Sequence, residues 1–253
     1  MSTSNSTAAP APSALVPLTA EERSARLTKT VAYYAAFVGL GMVASVMGPT
    51  LPGLAEHTRT SLQQVSILFS ARSLGYLVGS FGGGRLYDRL TGHRMLPVGL
   101  RLLAAMTAIA PTVPLLWLLA AVMLLLGIGE GSVDVGCNAM LVWVHGERVA
   151  PYMNGLHLFF GLGTFLSPLI VAQVLLMTGN FSWAYWIIAL VYVPVAIYTL
   201  RLPSPRPQRA TDEGLILLSC GTNFNTVRIL VPLTADDAII DEGLDKLELA
   251  LSA

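Results

Sequence analysis

Formal charge is scarce in this chain: Asp, Glu, Lys and Arg make up 12% of its 253 residues. A soluble domain carries roughly a quarter charged residues, so the composition excludes an ordinary soluble enzyme and a nucleic-acid binder. A disordered chain is excluded from the other side, because 54% of the residues are apolar. Cysteine is nearly missing. Cys137 and Cys220 are too few for a disulfide scaffold or a zinc site, and nothing in the pattern asks for a cofactor. What stands in place of these features is a series of long uncharged runs, the mark of a membrane protein.

The zero net charge hides an asymmetry. Up to Ala210 there are 13 Lys and Arg against 7 Asp and Glu, and from Thr211 onward 2 against 8. A basic membrane part is therefore joined to an acidic tail, and the overall balance says nothing about partners. Residues 1–28 are expected to be a disordered cytoplasmic segment. The stretch from Met1 to Leu18 is rich in Ser, Thr, Ala and Pro and lacks the pattern of a secretory signal. Thr19 and Glu22 have capping-box spacing and predict a short polar helix leading into the membrane.

Residues 29–202 predict a bundle of six transmembrane helices. No charge falls between Lys29 and Glu56. At ~1.5 Å per residue that run reaches about 39 Å, enough to cross a hydrocarbon core of ~30 Å. It gives a first span over Thr30–Leu51. Further spans are expected over Gln63–Gly83, Met95–Pro111 and Leu115–Trp143. The uncharged run between Arg148 and Arg201 is too long for one helix. A break at Thr178-Gly179-Asn180 divides it into Met153–Met177 and Ser182–Leu200. Basic residues concentrate before span one, between spans two and three, between four and five, and after six. By the positive-inside rule both ends are cytoplasmic, as an even helix count requires.

After Leu202 the texture changes. Pro203-Ser-Pro-Arg-Pro207 cannot continue a helix, and residues 203–213 read as a stiff linker. Residues 214–253 predict a small soluble ββα-like tail. Its strands are Gly214–Ser219 and Asn225–Val231, followed by a helix capped by Thr234 with Ile240, Leu244, Leu247 and Leu251 on one face. A segment this short is too small for a stable core of its own.

Three sets of membrane residues invite function. Gly75, Gly79 and Gly83 recur every four residues on span two and allow close approach of another helix. Glu130, Asp134 and Asn138 recur at the same interval on span four. A charge at mid-bilayer costs about 2.5–3.5 kcal/mol on insertion scales, so two acids on one span imply an inward-facing polar site. Arg72 is the strongly basic partner at similar depth. These three charges fit either ion coupling or a structural clamp that holds the bundle together. Asn154 and His157 lie a turn apart on span five and can share a face with Phe160. Hydrogen-bonding groups beside aromatic rings suit a polyhydroxylated ligand.

The stretch Gly84-Arg-Leu-Tyr-Asp88-Arg89-Leu-Thr-Gly92-His-Arg94 falls in the expected cytoplasmic loop between spans two and three. It resembles the signature loop of the major facilitator superfamily, with two residues rather than one before the second glycine. The run from Gly127 through Glu130, Asp134 and Asn138 to Trp143, followed by Asn154-x-x-His157-x-x-Phe160-Gly161, is similar to the branch containing fucose permease and the sodium-dependent glucose transporters. That resemblance implies cation-coupled transport of a small polar solute, sugar-like, across the plasma (inner) membrane. By that resemblance Glu130 would take part in coupling to a proton or sodium, and Asp134 and Asn138 would shape the sugar site. The cost of charge in the membrane also puts Asp134 and Arg72 with Glu130 in the ion-coupling set. Asn138, Asn154, His157 and Phe160 would contact the solute. Gly84, Asp88, Arg89, Gly92 and Arg94 would bias the conformational state. Span one has no acid, whereas the fucose permeases pair a first-helix acid with the fourth-helix one.

The superfamily fold implies a second six-helix half, so a second copy or another subunit is expected to cover the polar face; without it the bundle would insert and not transport. The tail resembles the end of 4-aminobutyrate aminotransferases, class III pyridoxal phosphate enzymes. In that family the arginine matching Arg228 holds a substrate carboxylate. The large domain and the cofactor lysine of that family have no counterpart here, so the tail is expected to be a vestige without catalysis.

Overall fold

The computed structural model describes residues 19–89, 92–205, 218–220, 226–228, 241–242 and 244–246. The first helix, α1, runs over Ala20–His57. The Thr19 hydroxyl accepts the Glu22 N–H at 3.2 Å and the Glu22 carboxylate accepts the Thr19 N–H at 2.9 Å. The expected capping box is present, and it starts the same helix that forms the span rather than a separate one. A second capping box, Ser61 with Gln64, opens a one-turn helix α2 over Leu62–Val65. The next long helix, α3, begins only at Ile67 and continues to Arg89. Span two therefore starts later than the sequence suggests and runs on well past Gly83.

Then follow α4 over Gly92–Ile109, with a 3-10 turn at Ala110–Thr112 around Pro111, and α5 over Leu116–His145. The last two long helices are α6 over Ala150–Thr178 and α7 over Ser182–Arg201. The break between them falls where expected. Gly179 adopts φ +67°, the left-handed conformation that ends a helix, and its N–H reaches the Leu175 carbonyl at 2.9 Å.

Among the described residues, five helices are long and apolar enough to cross a membrane: α1, α4 with its following turn, α5, α6 and α7. The sixth expected span, α3, has the length but not the apolarity. It carries Arg72, Arg85, Asp88, Arg89 and five glycines. Its place in the bundle comes from α5. A Cβ on Gly75 or Gly79 would collide with the Leu124 or Ile128 carbonyl, and one on Gly127 or Gly131 with the Arg72 or Tyr76 carbonyl. Two glycine faces thus interlock backbone to backbone along parallel helices. The span-two stripe was legible in the sequence; its counterpart on α5 supplies the other half of the seam.

A second parallel pair joins α1 to α6. Gly41 sits against the Phe160 carbonyl and Gly163 against the Val38 carbonyl. Ser45 donates to the Thr164 carbonyl at 3.1 Å, and the Tyr34 hydroxyl to the Tyr152 carbonyl at 2.8 Å. The remaining pair, α4 and α7, is antiparallel: Trp186 donates to the Ala108 carbonyl at one end, and His93 meets the Leu202 carbonyl at the other. Helices α1, α4 and α6 therefore run one way and α3, α5 and α7 the other, the alternation a threaded membrane chain requires.

At the α1 start the bundle is closed by buried polar contacts. His93 Nδ1 lies 3.0 Å from the Leu202 carbonyl, which can only accept, so Nδ1 carries the proton. In the neutral ring Nε2 is then an acceptor, and the Tyr33 hydroxyl donates to it at 2.6 Å. The His93 backbone N–H donates to Ser204 Oγ at 3.2 Å, so the chain just after α7 is tied to the bundle. Nearby, Thr30 Oγ1 lies 2.7 Å from His145 Nε2, and the His145 ring stacks on Tyr152 at 3.5 Å between centroids. The outward faces are apolar, most plainly on α6, where Leu158, Leu162, Phe165, Leu169 and Leu176 are all exposed. Such faces suit lipid contact. The molecule is an integral membrane protein of the all-α class.

Beyond the bundle, β1 (Leu218–Cys220) and β2 (Thr226–Arg228) pair antiparallel, with Leu218 opposite Arg228. These short strands overlap the two expected ones. Residues 241–242 and 244–246 are helical, and Lys246 bridges Glu242 at 2.7 Å. Thr234 and the segment before Thr19 lie outside the described residues.

Candidate functional site

Helix α5 presents Glu130 and Asp134 one turn apart, and their partners come from α3 through the glycine seam. With no side chains between the backbones, Arg72 and Tyr76 lie directly beside the two acids. Arg72 grips Glu130 with both ends of its fork, Nε to Oε2 at 2.7 Å and Nη2 to Oε1 at 2.8 Å. A third donor, Nη1, reaches the Ala44 carbonyl on α1 at 3.1 Å. Glu130 is 3% exposed. A buried carboxylate is tolerable here because bidentate charge-assisted bonds replace its water. Two of the three charges that stand out in the sequence, Arg72 and Glu130, are thus in direct contact.

Asp134 is bound differently. Its Oδ2 accepts the Tyr76 hydroxyl, and its Oδ1 accepts Asn138 Nδ2 at 3.0 Å. The same Asn138 amide also donates to the Asp134 backbone carbonyl at 2.9 Å. Asn138 thus holds the acid in place. Asp134 is partly exposed, and its hydrogen-bond donors are neutral.

The acids open on a cavity of about 310 Å³ lined by Phe37, Leu40, Ala44, Arg72, Tyr76, Glu130, Asp134, His157 and Phe160. Of the expected site residues, Glu130, Asp134, Arg72, His157 and Phe160 meet there. Phe37 stands edge-on to both His157 and Phe160, with centroids 6.2 and 6.4 Å away. Asn154 is exposed and does not line this cavity. At ~100° per residue, the step from Asn154 to Phe160 leaves the two about 120° apart round the helix. A one-turn spacing from His157 therefore does not bring Asn154 to the same face.

Tyr76, Phe37, Leu40 and Ala44 are site residues that the sequence reading missed. Tyr76 follows Arg72 by four positions and shares its face, a signal that was present. Phe37, Leu40 and Ala44 recur at i, i+3 and i+7, a spacing indistinguishable from ordinary packing.

The expected loop between spans two and three is mostly helical. Gly84, Asp88 and Arg89 belong to the last turns of α3, Gly92 opens α4, and Arg94 is exposed on its first turn. Leu90 and Thr91 lie outside the described residues. Helical hydrogen bonding carries α3 onward because no proline interrupts it before Arg89. Arg228 is the last residue of β2, remote in sequence from every cavity-lining residue.

The sequence profile of the Major Facilitator Superfamily matches residues 6–238. The chain belongs to the Major Facilitator Superfamily. Among curated relatives it is similar to sodium-dependent glucose transporter 1 of Rattus norvegicus, 38% identical over 148 residues, covering 58% of this chain and 31% of that protein. The Homo sapiens protein of the same name is 33% identical over 146 residues, covering 58% and 28%. Major facilitator superfamily domain-containing protein 4B of Danio rerio is 27% identical over 222 residues, covering 70% and 41%. The chain spans about a third of the length of the first of these relatives. The superfamily match extends past α7 to residue 238.

Proposed function

We propose that this bundle is the solute- and ion-binding part of a secondary transporter for a small polar solute, sugar-like, coupled to a proton or sodium. The observation that carries the reading is one cavity with two kinds of wall. A carboxylate with no cationic partner among the described residues stands on one side, and aromatic rings with an imidazole stand on the other. Carboxylate and imidazole exchange hydrogen bonds with hydroxyls, and ring faces cover the apolar side of a sugar. The names of the relatives support a sugar and sodium. In this reading both termini are cytoplasmic, the bundle sits in the plasma membrane, and a second six-helix half or a second copy completes the pathway. The residues at the α3–α4 junction, Gly84, Asp88, Arg89, Gly92 and Arg94, bias its conformation. Residues 214–253 are an aminotransferase-like remnant in which Arg228 is a vestigial carboxylate-binding residue.

The test is binding and uptake of radiolabelled D-glucose by the full chain in lipid vesicles. Saturable binding is expected, weakened by Phe160→Ala; no saturable binding in the wild type would overturn the sugar assignment. A second reading rests on the one-third coverage of the relatives: the bundle inserts and transports nothing alone. Binding without uphill uptake would favour it.

A further inference from the structure

The two acids on α5 stand one turn apart and face the same cavity, yet their surroundings differ in kind. Glu130 is buried, and both of its oxygens are taken by one guanidinium, which also holds the Ala44 carbonyl. Adding a proton or a metal cation to Glu130 would leave the part-buried Arg72 guanidinium without its partner, and breaking a buried pair from one side is strongly unfavourable. Glu130 and Arg72 therefore cancel and tie α5, α3 and α1 together.

Asp134 has no such tie. Its two donors are a phenol and an amide, and either can stay hydrogen-bonded when the carboxylate is neutralised: the Tyr76 hydroxyl can rotate to accept, and Asn138 keeps its bond to the backbone carbonyl. The ionisable groups facing the cavity are Arg72 and Tyr76 from α3, Glu130 from α5 itself and His157 from α6, while α1 supplies Phe37, Leu40 and Ala44. By formal charge Arg72 offsets Glu130, and among the described residues Asp134 has no cationic partner.

We infer that Asp134, and not Glu130, is where the coupling cation binds, the Arg72–Glu130 pair being a fixed clamp. The ligand is one monovalent cation, a proton or sodium, bound on the cavity side of the carboxylate next to the solute. The inference rests on the transport reading for its purpose, but not for its test.

The experiment follows the thermal stability of the full chain in lipid nanodiscs without any solute. One arm exchanges sodium chloride for choline chloride at fixed pH, and the other lowers the pH without sodium. The wild type is expected to gain melting temperature in the sodium arm if sodium is the ion. In the pH arm it is expected to differ from Asp134→Asn if the ion is a proton. Asp134→Asn should lose the response. The double variant Arg72→Gln/Glu130→Gln removes both charges of the clamp together; it should melt lower and still respond. Persistence of the response in Asp134→Asn, its loss in the double variant, or no response in either arm of the wild type would each overturn the assignment. Labelled D-glucose added afterwards tests the solute separately: a cation response without glucose binding would leave Asp134 as the ion site and remove the sugar.

Discussion

The two parallel helix pairs, α3 with α5 and α1 with α6, are built on one plan and finished differently. Both are seamed by glycines that bring backbone against backbone, and both supply a wall of the same cavity. The α3/α5 wall carries the charges, Arg72, Glu130 and Asp134, with Tyr76 beside them. The α1/α6 wall carries Phe37, His157 and Phe160 and no formal charge. Close packing is thus the common means. In one pair it brings an arginine to an acid, and in the other it sets rings edge-on to one another. Damage to the charged wall should register first in folding, and damage to the aromatic wall in ligand affinity.

The largest effect is expected from breaking half of the clamp. Arg72→Ala leaves Glu130 buried without its partner and should destabilise the bundle by about 3–5 kcal/mol, read as a loss of folded, monodisperse protein. The double variant with Glu130→Gln should recover part of that loss. If the single and double variants melt alike, the pair is not electrostatically coupled. Next in size is the seam itself. Gly127→Val would drive a side chain into the Arg72 carbonyl, and overpacking of this kind costs about 1–3 kcal/mol. The same substitution at the exposed Gly161, where a Cβ meets nothing within 4 Å, should be close to neutral by comparison. Equal losses at the two positions would show that helix propensity, not the seam, sets the penalty.

The aromatic wall should answer more quietly. Phe160→Ala is expected to leave folding nearly intact and weaken labelled D-glucose binding by up to roughly tenfold, the scale of one aromatic contact at about 0.5–1.5 kcal/mol. A melting loss as large as that of Arg72→Ala would erase the distinction between the walls. The smallest effect lies outside both walls, at the start of α1. The Thr19 N–H and then the Thr19 hydroxyl hold the Glu22 carboxyl below its ordinary value. A depressed acid stabilises the fold above its unfolded value, and that contribution is lost as the pH falls through the folded one. The protection factor of the Glu22 amide, exchange corrected for its intrinsic pH dependence, should therefore fall on acidification into that range. In Glu22→Gln this response should be absent.

The order of the helices and the turn at Gly179 were legible in the sequence, because uncharged length and a glycine between two apolar runs leave a direct trace. The limits of α3 were less so. Its glycines and charges dilute the apolar signal, and only α5 explains why it belongs to the bundle. At the site, Glu130, Asp134 and Arg72 stand out because charge in a membrane span is costly. Tyr76 and Phe37 do not, since an aromatic residue in an apolar run looks the same whether it lines a cavity or fills a core. The misplacement of Asn154 has a geometric source: a spacing of three residues fixes neighbours, but two such steps rotate a side chain off the face.

The clamp has one further bond, from Arg72 to the Ala44 carbonyl, and it leads from one wall to the other. Among the hydrogen bonds of the described residues, the two pairs are linked by this contact midway and by Thr30 with His145 near the α1 start. Each pair is closed along its own glycine seam, so loss of the Arg72–Ala44 bond is expected to let the two pairs part about Thr30 and His145. Spin labels at the exposed Leu77 and Leu158 would measure their opening as a change in distance. A hydrogen bond to a charged group is worth about 1.5–3 kcal/mol, so the Arg72–Ala44 contact is expected to favour the joined walls by roughly ten- to a hundredfold.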